Sequence, residues 1–495
     1  MGPYPPTTLI IGAGPAGLTA AYELAKHGRP VVVLESDPKY VGGLSRTINY
    51  HGYRFDVGGH RFFSKSREIE NLWTEILGAD MLQRPRSSRI YYRGQFYSYP
   101  LKPLEALAKL GPLESMRCLL SFAAARAHPT QNPKSFEDWI VNQFGKRLFE
   151  IFFKTYTEKV WGMSCKEISA DWAAQRIKSL SLGSAIKNGL LSPRQRRDRS
   201  QVVKTLIDTF RYPRLGPGMM WEKCAQRVRE LGGKVLLGCN VVACRQNTAA
   251  PTSTWTVTVR ALDGRLQQHC GEHLISSMPI RQLVAEIKPP LPETVLHSAQ
   301  SLRYRDFVSI GLVLRERNRF SDNWIYIHDP YVKVGRVQNY KSWSPEMVPD
   351  PNYCSYGLEY FCFEGDGLWS MADNDLIILA KKELEQVGLA VSADIVDGCV
   401  IRQPKAYPVY DDDYKRHVEI IRRSLETRCP NLQLVGRNGM HKYNNQDHAM
   451  MTALLAARNI VAGQKKYDVW SVNDDAEYLE STLATPGNND PWSNP

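Results

Sequence analysis

The feature that most constrains this chain is a turn built on three glycines, Gly12, Gly14 and Gly17, set between two short apolar runs. Thr7 to Ile11 reads as a buried β-branched strand. The glycines then open a helix of small residues that runs to about His27, and Val31-Val-Val-Leu34 reads as a second strand ending on Glu35. Strand, turn, helix and strand within about thirty residues make a βαβ unit. The three glycines differ in role. Gly12 permits a tight turn, Gly14 lets a pyrophosphate approach the backbone, and Gly17 allows the helix to pack closely on the strand. Unpaired N–H groups at the helix N-terminus would take the phosphates. Glu35 is placed to accept hydrogen bonds from a ribose and would repel a 2′-phosphate. Parts in this order point to a dinucleotide site rather than a structural turn.

Two further glycine pairs follow, in Val41-Gly42-Gly43-Leu44 and Phe55-Asp-Val-Gly58-Gly59-His60. Either pair alone reads equally well as a hairpin turn. Recurring in this order, they let loop backbone lie along an extended cofactor, which favours FAD over NAD. Near the C-terminus, Gly436-Arg437-Asn-Gly439 and then Asn445-Gln446-Asp447 form a loop leading into a helix that runs to about Ile460. The start of that helix could face a flavin pyrimidine or its phosphate chain. An Asx-capped helix reads from the same residues, and both can hold together.

The 495 residues suggest about three domains. A second α/β block lies near 200–285, with a helix around Trp221 to Glu230, strands at Lys234-Val-Leu-Leu, Asn240-Val-Val and His273-Leu-Ile-Ser-Ser, and a strict alternation in Thr254-Trp-Thr-Val-Thr-Val. Residues 100–200 are helical in pattern, and strand-like runs such as Phe307 to Leu314 and Tyr353 to Phe361 dominate 300–425. The expected fold is α/β: a Rossmann-like FAD-binding domain from 1–65, 203–285 and 425–470, an inserted helical domain at 100–202, a mainly antiparallel β-sheet substrate domain from 66–99 and 286–424, and a loose tail at 471–495.

Ten scattered cysteines show no C-x-x-C pair and no His cluster at ligand spacing, so no metal site is expected and the thiols read as reduced. The first residues lack a basic n-region and the apolar stretch there is too short for a signal or a span, which reads as a cytoplasmic protein without a membrane segment. Lys and Arg number 63 against 51 Asp and Glu, a formal charge of +12. Such an excess suits nucleic acid, a membrane surface or an anionic small molecule. The run Arg194-Gln-Arg-Arg-Asp-Arg199 is the best support for nucleic acid, but no aromatic-interleaved basic stripe accompanies it and it reads as a solvated loop.

The glycine segments resemble the glutathione-reductase-type flavoproteins, which include amine oxidases, protoporphyrinogen oxidases and UDP-galactopyranose mutases. One branch is matched further. Gly58-Gly-His60, Tyr99-Pro100, Ser135-Phe-Glu-Asp-Trp139, Lys159-Val-Trp161, Trp172 with Arg176, Tyr407-Pro408, and Gly436-Arg437 followed by Asn445-Gln-Asp-His448 occur in the order seen in eukaryotic-type UDP-galactopyranose mutases. That resemblance implies an FAD enzyme, active when reduced with NADPH or NADH as reductant, that interconverts pyranose and furanose forms of a nucleoside-diphosphate sugar without net redox change. The reduced flavin N5 attacks the anomeric carbon in that family, so the protein has to orient the sugar and neutralise a leaving diphosphate.

It also implies roles for residues. Arg176, fifteen residues after Trp161, and Arg336, ten after Tyr326, match the diphosphate arginines, and a guanidinium can chelate phosphate oxygens while staying charged. Tyr326, Tyr407 and Tyr443 match the diphosphate site, and Tyr99, Tyr156 and Trp161 the nucleobase end. His60 would sit beside the flavin, although a structural histidine bonded to backbone is equally compatible. Pro15, Ala16, Ser36, Leu44 and Val241 extend the expected cofactor wall. Two positions depart from the uridine pattern: Lys102 stands where a glutamine is expected and Thr157 where an asparagine is, which puts the identity of the base in doubt. The segment from Tyr443 to Asn445 is also two residues shorter. The competing reading is an FAD oxidase or desaturase of the amine oxidase and protoporphyrinogen oxidase class. A homo-oligomer is left open.

Overall fold

A computed structural model of the protein describes residues 7–170, 209–247, 254–317 and 320–473. The βαβ unit folds as the glycine pattern requires. Strand Thr8–Ile11 pairs in parallel with Val31–Leu34 on one side and His273–Ser276 on the other, and Lys234–Leu236 and Leu432–Leu434 complete a five-stranded parallel sheet. Both faces are covered, which is why these strands are continuous apolar runs rather than alternating ones. On one face the helix Pro15–Lys26 packs against the helix Gln446–Ala462, an alanine-rich segment buried over almost its whole circumference. Gly17 lets the first helix lie close against its own strand and turn: a Cβ there would fall 1.8 Å from the Gly12 carbonyl oxygen.

Beside it lies a small sheet of Asn240–Asn247, Thr254–Arg260 and Leu266–Gly271 in antiparallel order, with Ile287–Lys288 parallel at its edge. The alternation in its middle strand is realised directly, with Trp255, Val257 and Val259 fully buried.

The larger sheet has seven strands in the order Ile395–Pro408, Tyr304–Arg315, Tyr353–Cys362, Arg336–Asn339, Trp324–Ile327, Ser88–Tyr92 and Gln95–Ser98. All neighbours are antiparallel except Ser88–Tyr92 on Trp324–Ile327. Helix Asp373–Gln386 covers one face with Leu376, Ala380 and Leu384. Aromatic side chains, Phe55 and Tyr340 among them, fill the other, admitted by Gly311 and Gly357, where a Cβ would lie 2.6 Å from Phe55 and 2.3 Å from Tyr340. The helices between 103 and 161 pack on the far end of this sheet through Ile90, Tyr92 and Tyr97, and one of them, Phe136–Phe144, starts at a Ser135/Asp138 capping box.

Three expected domain boundaries shift. Helices Arg67–Leu77 and Glu293–Ser301 fall within the segments expected for the substrate sheet, yet Ile69, Leu72, Trp73, Val295 and Ala299 enter the core of the parallel sheet. The boundary at 425 falls inside helix Tyr414–Arg428, whose Ile421 and Leu425 join the same core. An amphipathic pattern shows that a face is buried but not which sheet buries it. All ten cysteines are free thiols, eight of them buried. Among the described residues no helix is long and apolar enough to cross a membrane, and no group of His, Cys, Asp and Glu could hold a metal ion.

Candidate active site

A cavity of about 560 Å³ opens at the C-terminal ends of strands Thr8–Ile11 and Val31–Leu34. Gly12, Gly14, Pro15 and Ala16 form one wall, Glu35 and Ser36 part of a second, and Gly43, Leu44, Val241, Gly436, Arg437, Asn445 and Gln446 are among the other lining residues. Two glycine loops meet there: a Cβ on Gly43 would sit 3.3 Å from the Gly14 Cα, a tighter contact than side chains ordinarily make. Gly17 and Gly42 stand behind this wall. Gly42 adopts φ +100° and donates its N–H to the Ala13 carbonyl at 2.8 Å, which pins the second loop to the first.

Glu35 does more than its expected work. Its Oε2 accepts the Ala13 N–H at 2.6 Å, and its Oε1 accepts from Asp37 N at 2.9 Å and Ser36 Oγ at 3.2 Å. The carboxylate therefore splints the glycine turn and still has lone pairs for a ribose. Residues around the cavity fit an FAD. Helix Pro15–Lys26 has no side-chain cap at Gly14, which leaves its first N–H groups for phosphate, and both amide atoms of Gln446 are buried without a hydrogen-bond partner.

A second cavity, about 210 Å³, continues from the first and shares Leu44, His60, Arg437, Asn445 and Gln446 with it. Gly58 and Gly59 line it, as do Tyr326, Arg336, Tyr407 and Tyr443. Arg336 rises from strand Arg336–Asn339 and is held by Glu359 of the neighbouring strand: Nε donates to Oε2 at 3.0 Å and Nη2 to the same oxygen at 2.5 Å. Gln338 Nε2 donates to the other carboxylate oxygen at 2.6 Å. Burial works against the charge of Arg336, but Glu359 outweighs it and keeps the guanidinium protonated well above the ordinary arginine range. Arg437 donates to the carbonyls of Asn444 and Ala406 at 2.9 and 3.0 Å and lies 5.3 and 5.0 Å from the ring centres of Tyr407 and Tyr443.

His60 lines both cavities. Its Nε2 lies 2.8 Å from the Val57 carbonyl and acts as donor, leaving Nδ1 as an acceptor 3.5 Å from Ser45 Oγ. Burial lowers its pKa to about 4, so the ring is neutral. The backbone bond and the cavity-facing position expected as alternatives coexist.

Tyr99, Tyr156 and Trp161, expected at the base end, line neither cavity and instead pack behind the tyrosines of the second. Tyr99 and Tyr156 lie 4.6 and 5.3 Å from that ring, Tyr156 stacks on His328 at 4.8 Å, and Trp161 meets Tyr443 at 6.1 Å and Tyr407 at 6.4 Å. Lys102 is not brought in: it is exposed at the start of helix Pro103–Leu110 and lines neither cavity. Thr157 is buried inside helix Thr155–Trp161 and also lines neither. Arg176, with Trp172 and the basic run 194–199, lies outside the described residues.

Sequence reasoning missed Glu359, Asp447 and Arg61. Glu359 is the one acid in an otherwise apolar and polar-neutral ten-residue strand, a signal that was available. Asp447 lines the second cavity with Oδ2 unpartnered, and burial raises its pKa to about 7. Arg61, directly after His60, lines the same cavity with its guanidinium 5.4 Å from the Trp324 ring centre.

Comparison with known proteins agrees with this geometry. A family model described as flavin containing amine oxidoreductase matches residues 15–391. The chain is 32% identical over 176 residues to a dTDP-fucopyranose mutase of Escherichia coli, covering 33% of this chain and 43% of that one. It is 28% identical over 172 residues to a probable UDP-galactopyranose mutase of Klebsiella pneumoniae, covering 33% and 42%. The matched stretch thus spans less than half the length of either mutase. A putative flavin-containing monoamine oxidase of Mycobacterium tuberculosis is 27% identical over 307 residues, 59% of this chain and 61% of that one. Among solved structures, reduced UDP-galactopyranose mutase superposes with a TM-score of 0.78 at 22% identity over 95% of this chain and 98% of that one. A putative protoporphyrinogen oxidase from Exiguobacterium sp. 255-15 gives 0.70 at 15% identity over 93% and 99%. These likenesses establish the fold.

Proposed function

The chain belongs to the flavin-containing amine oxidoreductase family, and from that premise we propose that it is an FAD-dependent mutase interconverting the pyranose and furanose forms of a nucleoside-diphosphate sugar, with no net redox change. The observation that carries this reading is the second cavity. Arg336 borders it with Tyr326, Tyr407 and Tyr443, a cation and three phenols that can all donate to phosphate oxygens. Tyrosines alone would also suit an amine, but a buried cation among them would not. The similarity to two sugar-nucleotide mutases points the same way.

The flavin, reduced by NADPH or NADH, would supply the nucleophile for the anomeric carbon. This chain's residues do the rest: Arg336 and the three cavity tyrosines donate to the leaving diphosphate and orient it, Tyr99 and Tyr156 back Tyr326 at the end assigned to the base, and neutral His60 offers an acceptor beside the cofactor wall. Arg176 is the second diphosphate cation in this reading. The free, buried thiols suit a cytoplasmic setting.

The second reading is an oxidase, favoured by the longer match to a monoamine oxidase. Incubating dithionite-reduced protein with UDP- and dTDP-linked pyranoses, and separating the products by chromatography, distinguishes the two. A furanose product without stoichiometric reductant is expected. No furanose from any of them, with one equivalent of peroxide per amine oxidised in air, overturns the mutase reading in favour of the oxidase.

A further inference from the structure

Helix Thr155–Trp161 carries Tyr156 and Trp161 to the base end, and between them stands Lys159, whose side chain serves a different neighbour. Its Nζ donates to three backbone carbonyls, those of Asp329 at 2.6 Å and of Ile327 and Val334 at 3.2 Å each. All three lie at or beyond the end of strand Trp324–Ile327 and before strand Arg336–Asn339. They therefore belong to the one turn that joins Tyr326 to Arg336. The end of the helix is fixed separately by Arg305 of the sheet, which donates to the carbonyls of Val160 at 3.0 Å, Lys159 at 3.1 Å and Phe361 at 3.0 Å. No step of the proposed reaction uses Lys159.

We infer that Lys159 is a positioning residue, a three-carbonyl clamp that sets the helix of Tyr156 and Trp161 against Tyr326 and Arg336 and so fixes the distance between the base and diphosphate ends. The inference rests on the nucleoside-diphosphate reading of the site. An ammonium has three N–H donors and uses all of them here. A neutral amine has two and a lone pair, so one carbonyl would face a lone pair and the clamp would loosen.

Burial lowers the pKa of Lys159 from 10.5 to about 8, against the pull of Glu383 and Asp329. The groups that face it are Asp329 and His328 on the turn, Glu383 from helix Asp373–Gln386, and Arg305 from the sheet. Glu383 braces the same turn by accepting the Lys333 and Val334 N–H groups at 2.7 and 2.9 Å. His328 is neutral, its pKa lowered to about 3 by burial and by the Lys159 charge. Because burial disfavours the charged form, the unfolded chain keeps this proton longer than the fold does. Between about 8 and 10.5 the unfolding free energy contributed by Lys159 rises with pH rather than falls. Nucleotide affinity is thus expected to fall while global stability rises through this window, whereas a lysine with only a structural role would leave affinity unchanged.

The test is calorimetric titration of the FAD-loaded protein with UDP and with dTDP at about pH 7 and about pH 9, in wild type, Lys159→Met and Lys159→Arg, with thermal midpoints recorded alongside. Wild type should bind about tenfold more weakly at the higher pH, with no drop in midpoint attributable to Lys159 on comparison with Lys159→Met. Lys159→Met should be weak at both, and Lys159→Arg, which stays charged, should lose the alkaline decline whatever its absolute affinity. Wild-type affinity in Lys159→Met, or the same alkaline decline in Lys159→Arg, overturns the inference and leaves the mutase reading intact. The arginine variant decides the matter if the methionine one does not fold. Failure of wild type to bind either nucleotide at either pH removes the nucleoside-diphosphate reading itself, and the inference with it.

Discussion

Glu359 and Arg336 form an ion pair at the back of the second cavity, with the carboxylate fully buried and the guanidinium 16% exposed. The pair is net neutral, so Arg336 does not make the cavity a well of positive potential by itself. Glu359 occupies Nε and one Nη2 hydrogen, which fixes the guanidinium on the cavity wall and leaves its other donors uncommitted to Glu359. Little of the surplus of twelve positive charges is spent here.

Removing the charge of Glu359 while keeping its shape should therefore be costly. Glu359→Gln still offers an oxygen to Gln338 but leaves Arg336 a buried cation without its counter-ion. Loss of one partner of such a pair costs about 3–5 kcal/mol when fully buried; with Arg336 in contact with a solvated cavity, about 2–3 kcal/mol is expected, read by urea unfolding of the FAD-loaded protein. Arg336→Ala should keep the yellow flavin spectrum and lose sugar-nucleotide turnover. Near-normal turnover in Arg336→Ala would remove Arg336 from the diphosphate site.

The glycine loops give a graded prediction. In Gly17→Ala the new Cβ would meet the Gly12 carbonyl oxygen at 1.8 Å, backbone that cannot give way without opening the turn. In Gly43→Ala the nearest atom is 3.3 Å away, so the clash is far milder, and the φ of +52° adds only a left-handed backbone cost of about 1–2 kcal/mol. Flavin content per chain, from visible absorbance, should fall to near zero in the first and only in part in the second. Equal retention in both would mean that the turn does not hold the pyrophosphate.

Much of the cofactor wall was legible because its rules are local: three glycines, a strand on either side and Glu35 at a fixed offset dictate the turn wherever it occurs. The alternation of Trp255, Val257 and Val259 was legible for the same reason. Glu359 stands out as the lone acid of its strand, but what it and Lys159 do was not legible, because their partners lie 23 and 168 or more residues away. Lys102 shows the converse. Resemblance to the mutase pattern suggests a place near the base, but a match in position carries no direction, and the side chain stands in solvent at a helix start. Helix Arg67–Leu77 joins a different sheet from the one its place in the chain suggests, because its apolar face does not encode which layer covers it.

Asp447 should respond to pH in a direction opposite to most carboxylates. Burial raises its pKa from 3.8 to about 7, so the folded chain holds a proton that the unfolded chain has released. Its contribution is fully present below about 3.8 and is lost as pH rises through 7. Asp447→Asn, which never ionises, should gain on wild type as pH rises, by on the order of 2 kcal/mol between about pH 4 and about pH 8. Urea unfolding at the two pH values measures the gain, and a constant difference between the proteins would show that Asp447 is ionised throughout.

His60 makes the reverse case. Its pKa is lowered from 6.5 to about 4 by burial, with Arg437 and Arg336 adding to the effect, so the folded chain refuses a proton that the unfolded chain accepts. The stability it contributes is present above about 6.5 and is lost as pH falls toward 4. Within that window one such group gives a slope of at most about 1.4 kcal/mol per pH unit, and one face of the ring borders a cavity, which will temper it. His60→Asn removes that single proton: the acid slope of unfolding free energy should drop by up to one proton equivalent, and turnover above about pH 6 should show no ionisation assignable to His60. The measurement is urea unfolding at several pH values between about 4 and 7, wild type against variant. Identical slopes would mean that the ring takes up its proton in the folded state as readily as in the unfolded one, and the acceptor proposed beside the cofactor wall would then become a cation below about pH 6.5.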